Sequence, residues 1–231
     1  MTIAERREQL LERIARAARQ AGRDPEEVRL LAVSKTVGSD AVREAFAAGH
    51  RLFGENRAQE LRDKRRALED LAIEWHFIGH LQTNKVRYVV PGCPLLHTMD
   101  RMDLAHKVAA RLPEGEAQSV LVQVNTSGEG AKSGIEPEQL PGLLDELVNV
   151  EQLWIDGLMT IGPWGATEEE NRRCFRLLRE ALERERLRGR PQAPLTELSM
   201  GMSGDFETAI AEGATIVRIG TDFFGPRPQP R

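Results

Sequence analysis

The sequence predicts an α/β protein, a single (β/α)8 barrel of the TIM type with one extra helix at its N-terminus. Three observations support this fold: short apolar segments alternate with longer amphipathic ones, the apolar segments number eight, and no Pro/Gly/Ser-rich linker divides the 231 residues. Strands that alternate with helices form parallel sheets, and eight such units can close into a barrel. The alternative is an open, doubly wound sheet with a second lobe. We expect one barrel domain over residues 1–231.

The elements follow in chain order. The first helix lies within residues 2–23 and ends near Gly22, because its apolar residues recur along one helical face. The predicted strands are 28–34, 51–53, 74–78, 94–99, 119–125, 153–161, 195–200 and 215–219. The predicted helices between them are 40–48, 57–71, 83–89, 101–111, 136–148, 167–187 and 204–212. Helix-stopping residues such as Gly49 and Pro113 follow these segments.

Composition narrows the class of protein. A net charge of −4, with 29% charged and 40% hydrophobic residues, is typical of a globular protein and argues against general binding of nucleic acid or acidic membranes. No apolar run approaches the roughly 18 residues of a membrane span, and the charged N-terminal segment lacks a signal-peptide core. Cys93 and Cys174 lie far apart, so we expect two reduced, packed thiols. These features predict a cytoplasmic protein.

Lys35 is the most informative residue at a strand end. The active site of a (β/α)8 barrel lies at the carboxyl ends of the strands, and Lys35 directly follows the first strand. An amine among apolar walls loses solvation of its charged form, which favours the nucleophilic form that a Schiff base requires. The chain has only five lysines among 32 Lys plus Arg, and arginine cannot form an imine. Alternatively, Lys35 extends to solvent or pairs with Glu55.

The last two strand ends predict an anion site. Loops after strands seven and eight of such barrels often bind phosphate through backbone N–H groups. Ser203 follows strand seven, and Gly220 and Thr221 follow strand eight. Ser203 is also the expected N-cap of helix 204–212. Arg218 lies among apolar neighbours on strand eight, where it needs a partner; a salt bridge to Asp156 is one alternative.

Other patterns predict no site. The glycine-rich segment 128–134 lacks both phosphate-loop spacings and is predicted to be a turn. His76 and His80 lie on a strand and its exit, so they do not share a helix face as zinc ligands would. His50, His97 and His106 are isolated, and Lys64 and Lys107 are expected on helix surfaces. No metal site is therefore predicted.

Seven segments together carry a family resemblance. They are 32–36 (AVSKT), 53–56 (FGEN), 76–85 (HFIGHLQTNK), 124–127 (VNTS) with Lys132 and Gly134, 157–161 (GLMTI), 198–203 (LSMGMS) and 217–220 (VRIG). With these segments in this order, the sequence resembles the pyridoxal-phosphate homeostasis protein family, the YggS/PROSC group, over essentially its whole length. The resemblance implies a barrel like the N-terminal domain of alanine racemase and pyridoxal 5'-phosphate as cofactor.

By resemblance, Lys35 would carry the cofactor as a Schiff base and Arg218 would face its pyridine nitrogen. Ser203, Gly220 and Thr221 would hold the phosphate, and Asn56 would line the pocket. The chain departs from the family beside these residues: Val37-Gly38 replace Lys and Pro, Arg57 replaces Tyr, and Asp222-Phe223 replace Ala-Ile. These departures concern the pocket rim.

Three functions are compatible with this pattern. The first is a cofactor carrier or buffer with little or no turnover, because an arginine opposite the ring nitrogen weakens the electron sink and Tyr88, the single tyrosine, is not at a strand end. Its expected partners are apo-enzymes that depend on the cofactor, and its expected state is a monomer. The second is a racemase-like enzyme of fold type III acting on a small amino acid. The third is a cofactor-free Schiff-base aldolase.

Overall fold

Eight parallel strands close into a barrel in which each strand pairs with the next and the eighth pairs with the first. The computed structural model describes residues 1–129 and 133–226. The strands are β1 Arg29–Val33, β2 Leu52–Glu55, β3 Glu74–Phe77, β4 Leu95–Met99, β5 Gln118–Gln123, β6 Leu153–Met159, β7 Glu197–Ser199 and β8 Ile216–Ile219. The predicted barrel is confirmed, and all eight predicted strands are present.

Helices connect the strands on the outside of the barrel. The α-helices are α1 Ile3–Gln20, α2 Ser39–Ala47, α3 Ala58–Ala67, α4 Met102–Ala109, α5 Leu140–Leu147, α6 Glu168–Arg186, α7 Phe206–Ala211 and α8 Thr221–Phe224. Among the described residues, three 3-10 helices accompany them at Pro25–Glu27, Thr83–Tyr88 and Pro137–Gln139. The extra N-terminal helix is confirmed as α1, whose capping box joins Thr2 and Glu5.

Several boundaries differ from the prediction for local reasons. The predicted helix 57–71 ends at Ala67, because Leu68 leaves helical geometry at φ −126°. The predicted strand 195–200 shortens to Glu197–Ser199, since Leu195 has a left-handed φ of 49°, outside the strand region. Helix α8 was not predicted, because four residues are too few to show a periodic pattern. The predicted turn 128–134 includes residues 130–132, among them Lys132, which lie outside the described residues.

The core lies between the barrel and its helices, with a small apolar layer inside the barrel. The inner layer contains Leu31, Leu95, Leu121, Met159 and Ile216. Helix α1 buries Leu10, Ile14 and Ala18 and packs against α7 and α8. This packing places α1 behind the loops that follow β7 and β8.

Two further predictions concern residues within this part of the chain. Cys93 and Cys174 are both buried thiols, as predicted. Within residues 1–129 and 133–226, no helix combines the length and apolar composition that crossing a membrane requires.

Candidate functional site

A cavity of about 790 Å³ opens at the carboxyl ends of the strands. The six residues predicted as a binding site come from the ends of β1, β2, β7 and β8, and the structure brings all of them to this cavity. The cavity is lined by Val33, Lys35, Asn56, Ile78, Gly79, His80, Thr98, Gln123, Ser133, Ile161, Trp164, Met202, Ser203, Gly204, Arg218, Gly220, Thr221 and Pro226. Its volume lies within the roughly 300–1,000 Å³ typical of small-molecule sites.

The turn that presents Lys35 is held on both sides by α3. Lys35 is half-buried, and the residues before and after it in the chain are both hydrogen-bonded to α3. The Ser34 carbonyl accepts a hydrogen bond from Lys64 Nζ at 2.6 Å, and the Thr36 N–H donates to Glu60 Oε1 at 2.7 Å. Thr36 has a left-handed φ of 64°, an uncommon conformation for a β-branched residue. These contacts hold Lys35 at the cavity wall.

Lys64 is buried, so its predicted position on a helix surface is wrong. Its Nζ lies 2.5 Å from Glu55 Oε1 and 2.8 Å from Glu60 Oε1. Glu55, considered above as a partner of Lys35, forms this ion pair and also accepts a hydrogen bond from Ser34 Oγ at 2.6 Å. Burial raises the pKa of the Glu55 carboxyl, and the charge of Lys64 opposes that shift. Lys64 is buried because α3 lies against the β1 and β2 ends with this residue facing inward.

Asn56 follows β2 and contributes an unsatisfied acceptor to the cavity region. Its Oδ1 is buried and, among the described residues, has no hydrogen-bond partner; the same holds for Gln123 Oε1. The backbone of Asn56 packs tightly against Gly79, where an added Cβ would lie 2.0 Å from the Asn56 carbonyl oxygen. Glycine at position 79 is therefore needed to keep Asn56 in place.

The loops after β7 and β8 meet at the side of the cavity where the anion site was predicted. Ser203 Oγ accepts a hydrogen bond from the Asp222 N–H at 3.5 Å, which joins the two loops. Ser203 is not the N-cap of the next helix, because α7 begins at Phe206 and Asp205 is its N-cap. Gly220 and Thr221 stand at the start of α8. The predicted anion-binding groups therefore lie together.

Arg218 is buried at the floor of the cavity. Its Nη1 donates to Ser199 Oγ at 2.8 Å and its Nη2 donates to the Thr160 carbonyl at 2.7 Å. Burial lowers the pKa of Arg218 to about 10, so the guanidinium keeps its charge at neutral pH. Asp205 is the carboxylate whose charge opposes that shift, and it also shows a raised pKa because of burial.

Asp156 is not the partner of Arg218. Its neighbours are Ser119 and Arg29, and burial raises the pKa of its carboxyl. Arg29 is in register with Ile216, two residues before Arg218 on β8. Asp156 therefore lies near the amino ends of the strands, at the opposite end of the barrel from the cavity, because Arg29 is the first residue of β1.

The sequence interpretation missed several residues that line the cavity, including Thr98, Gln123 and Trp164. Gln123 is the last residue of β5, whereas the predicted strand continued to Asn125 and directed attention to the wrong strand end. Thr98 Oγ1 donates to the Gly79 carbonyl at 2.6 Å from inside β4. Thr98 and Gln123 are polar residues near the ends of β4 and β5, which was the one sequence signal for them, whereas Trp164 lies beyond the end of β6 and had no such signal.

Of the two titratable side chains His80 and Tyr88, His80 reaches this cavity and Tyr88 does not. His80 lines it and has its Nδ1 3.7 Å from Asp100 Oδ2, with the His80 side chain about half exposed. Tyr88 lies outside the cavity, against the cationic groups of Arg62, Lys85 and Arg87. Within residues 1–129 and 133–226, no group of three or more His, Cys, Asp or Glu side chains is arranged to hold a metal ion.

Known proteins show where this architecture recurs. A family model described as "Alanine racemase, N-terminal domain" matches residues 6–228. A relative from Aquifex aeolicus, named pyridoxal phosphate homeostasis protein, is 46% identical over 228 residues, which are 98% of this chain and 99% of that protein. The structure of PipY from Synechococcus elongatus with PLP bound has a TM-score of 0.84 at 39% identity and covers 97% of this chain and 100% of that chain.

A more distant structure shares the fold alone. Alanine racemase from Corynebacterium glutamicum has a TM-score of 0.67 at 18% identity, and the match covers 94% of this chain and 61% of the racemase. The barrel therefore resembles the N-terminal domain of alanine racemase, in agreement with the sequence prediction.

Proposed function

The chain belongs to the alanine racemase N-terminal domain family and, within it, to the pyridoxal phosphate homeostasis proteins. From this premise we propose that it carries or buffers pyridoxal 5'-phosphate (PLP) in the cytoplasm with little or no catalytic turnover. The observation that carries the proposal is the convergence of Lys35, Asn56, Ser203, Arg218, Gly220 and Thr221 on one cavity. The PLP bound to PipY, a relative that covers this chain almost completely, supports the same cofactor here.

The cavity fits a small phosphorylated, polar ligand. The Oδ1 of Asn56 and the Oε1 of Gln123 are buried acceptors without partners among the described residues, and both residues line the cavity. A buried acceptor left unsatisfied costs about 1–3 kcal/mol, so a ligand that donates hydrogen bonds here would relieve that cost. Hydroxyl and backbone N–H groups at Ser203, Gly220 and Thr221 would bind the phosphate.

Lys35 and Arg218 would contact two different groups of the cofactor, its aldehyde and its pyridine nitrogen. PLP supplies an aldehyde and an aromatic ring that can accept electrons. Lys35 Nζ would form a C=N bond to the aldehyde carbon with release of one water, a reversible condensation without any change of oxidation state. The Arg218 guanidinium would donate a hydrogen bond to the pyridine nitrogen and keep it unprotonated. An unprotonated ring is a weaker electron sink, which favours carriage of the cofactor over catalysis.

Absorbance spectroscopy tests this proposal directly. The purified protein mixed with PLP is expected to show the visible absorbance of a Schiff base, and Lys35→Ala is expected to lose it. Lys107→Ala, at an exposed position of α4, is the matched control and should keep it. Visible absorbance in Lys35→Ala equal to that of the wild type would refute the role of Lys35. Failure of the wild type to bind PLP would refute the carrier proposal and favour the cofactor-free aldolase.

A second candidate function rests on His80 and Asp100. His80 lines the cavity with Asp100 3.7 Å from its Nδ1, so this ring could supply the second acid/base that a racemase-like enzyme of fold type III needs. The PLP-loaded protein is incubated with each enantiomer of alanine and serine, and chiral chromatography follows the products. The carrier proposal expects negligible racemisation or elimination. Robust turnover that disappears in His80→Gln would establish the enzyme instead.

Delivery of PLP to apo-enzymes is the remaining part of the proposal. The loaded protein is mixed with an apo-enzyme that depends on PLP, and the recovered enzyme activity is compared with that given by the same amount of free PLP. Recovery is expected with the wild type. No recovery with a fully loaded protein would contradict the carrier role.

Sedimentation velocity tests the proposed monomer, and a dimer at micromolar concentration would contradict it.

A further inference from the structure

A chain of hydrogen bonds crosses the interior of the barrel and ends on Arg218. Glu74 Oε1 lies 3.0 Å from His76 Nε2, and His76 Nδ1 lies 2.9 Å from His97 Nε2. His97 Nδ1 lies 2.8 Å from Ser199 Oγ, which accepts a hydrogen bond from Arg218 Nη1 at 2.8 Å. The sequence interpretation of His97 as an isolated residue is therefore wrong, because β4 and β7 face each other across the barrel.

The direction of every proton in this chain follows from its two ends. Arg218 can only donate, so Ser199 Oγ accepts from it, and the Glu74 carboxylate can only accept, so with both rings neutral the Ser199 proton points to His97 Nδ1. His97 must then carry its proton on Nε2 and donate it to His76 Nδ1. His76 in turn donates from Nε2 to the Glu74 carboxylate. Both rings are thereby assigned the neutral Nε2–H tautomer.

The surroundings keep both rings neutral. His76 is 1% exposed, and His97 and Ser199 are fully buried. Burial lowers the pKa of His76 and lowers that of His97 still further. Besides Arg218 itself, the charged groups near these hydrogen-bonded side chains are Glu74, Arg29, Glu197 and Asp205. The carboxylate of Glu74 stands at the far end of the chain, where its side chain is 47% exposed.

We propose that His97 and Ser199, supported by His76, are positioning residues that fix the orientation of Arg218 at the cavity floor; this inference rests on the proposed function of the cavity. Ser199 and the Thr160 carbonyl hold Nη1 and Nη2, which leaves the guanidinium plane no freedom to rotate away from the cavity. A cofactor ring nitrogen opposite Arg218 would meet a donor whose position the barrel interior determines. Ser199 and His97 would act only through Arg218, without touching the cofactor.

The tautomers are tested first, in the protein without PLP. Two-bond ¹H–¹⁵N correlation spectra of the histidine rings are recorded, and His97→Asn and His76→Gln assign the signals. Both rings are expected to show the neutral Nε2–H form between about pH 6 and pH 8. An Nδ1–H tautomer or a charged ring in this range would overturn the proposal. This result does not depend on whether the cavity binds PLP.

The positioning role is tested with PLP bound. Ser199→Ala and His97→Leu both break the chain, whereas His97→Asn keeps an acceptor oxygen near the position of Nδ1. Loss of one hydrogen bond to a charged group is expected to weaken PLP binding about tenfold in the two broken variants. Their visible absorbance is expected to become pH-dependent, because Arg218 no longer holds the ring nitrogen unprotonated.

Controls separate this result from a general structural effect. His97→Asn is expected to bind PLP within about threefold of the wild type, and His106→Asn, at an exposed position of α4, should match the wild type. Circular dichroism confirms that each variant is folded, and two breaking variants are used in case one is not. Wild-type affinity and spectra in the folded breaking variants would overturn the positioning role. A wild-type protein that does not bind PLP overturns the proposed function, while the ring spectra still decide the tautomers.

Discussion

Replacing Lys64 with methionine removes a buried cation at the ends of β1 and β2, beside Lys35. Lys64 Nζ donates to the Ser34 carbonyl, next to Lys35, and pairs with the carboxylates of Glu55 and Glu60. Methionine has a similar length but no charge and no donor. The variant therefore leaves the Glu55 carboxylate buried without its counter-ion and the Ser34 carbonyl without its donor.

The expected magnitude follows from the burial of the pair. The Lys64 side chain is 6% exposed and the Glu55 side chain is 0% exposed, so solvent screens little of their interaction. Removing one partner of a buried ion pair costs about 3–5 kcal/mol of unfolding free energy. For a chain of this size, this loss lowers Tm by about 6–20 °C. We also expect weaker PLP binding, because the turn that presents Lys35 loses one of its two anchors.

The cost should depend on pH in a defined direction. In Lys64→Met the folded-state pKa of Glu55 lies above its unfolded value, near 4.5, because burial is no longer opposed by Lys64. The folded state then binds the Glu55 proton more tightly than the unfolded state does. The variant is least destabilised below that unfolded value and loses stability as the pH rises through the raised pKa.

Thermal and chemical denaturation at acid and neutral pH measure these effects. Lys107→Met is the matched control, since the same substitution on the exposed face of α4 should change stability by no more than about 0.5 kcal/mol. The double variant Glu55→Gln/Lys64→Met should recover part of the loss, because it removes the buried orphan charge. A Tm for Lys64→Met within about 2 °C of Lys107→Met at neutral pH would refute the reasoning.

Two further predictions concern single positions. Burial lowers the pKa of His50 from 6.5 to about 4, so the unfolded state binds this proton more tightly than the folded state does. The free energy of unfolding therefore falls as the pH drops through that interval, by about 3 kcal/mol in full. His50→Gln should reduce the acid sensitivity of the denaturation midpoint, and an unchanged pH dependence would contradict the assignment. Gly79→Ala should destabilise the fold by about 1–3 kcal/mol and weaken PLP binding, because the added Cβ displaces the Asn56 backbone. Gly142→Ala, on α5, where an added Cβ meets nothing within 4 Å, is its control, and equal stability and affinity in the two variants would contradict the packing argument.

The barrel could be predicted from the sequence because its signals are local. Alternation of strand and helix periodicity, turn residues and the count of eight strands each reside in a short stretch of chain. Convergence of the strand ends follows from the fold itself, since the carboxyl ends of parallel strands meet at one end of a barrel. The sequence alone therefore predicts that Lys35, Asn56 and Arg218 lie at one site. The boundaries were less accurate where a single backbone angle decided them, as at Leu195.

Partners of buried polar groups could not be predicted in this way. Whether Lys64 faces water or Glu55 depends on how α3 rotates against the barrel, and its charged side chain alone indicates a surface position. The bond between His97 and Ser199 joins residues 102 positions apart, and Arg218 meets Ser199 rather than Asp156 because of strand register. The sequence by itself determined that six residues, Lys35, Asn56, Ser203, Arg218, Gly220 and Thr221, reach the cavity, because that depends on the position of each residue relative to its strand end. Only the tertiary structure decided which groups hold them there, because hydrogen-bond partners across a barrel depend on distances between strands that local patterns do not encode.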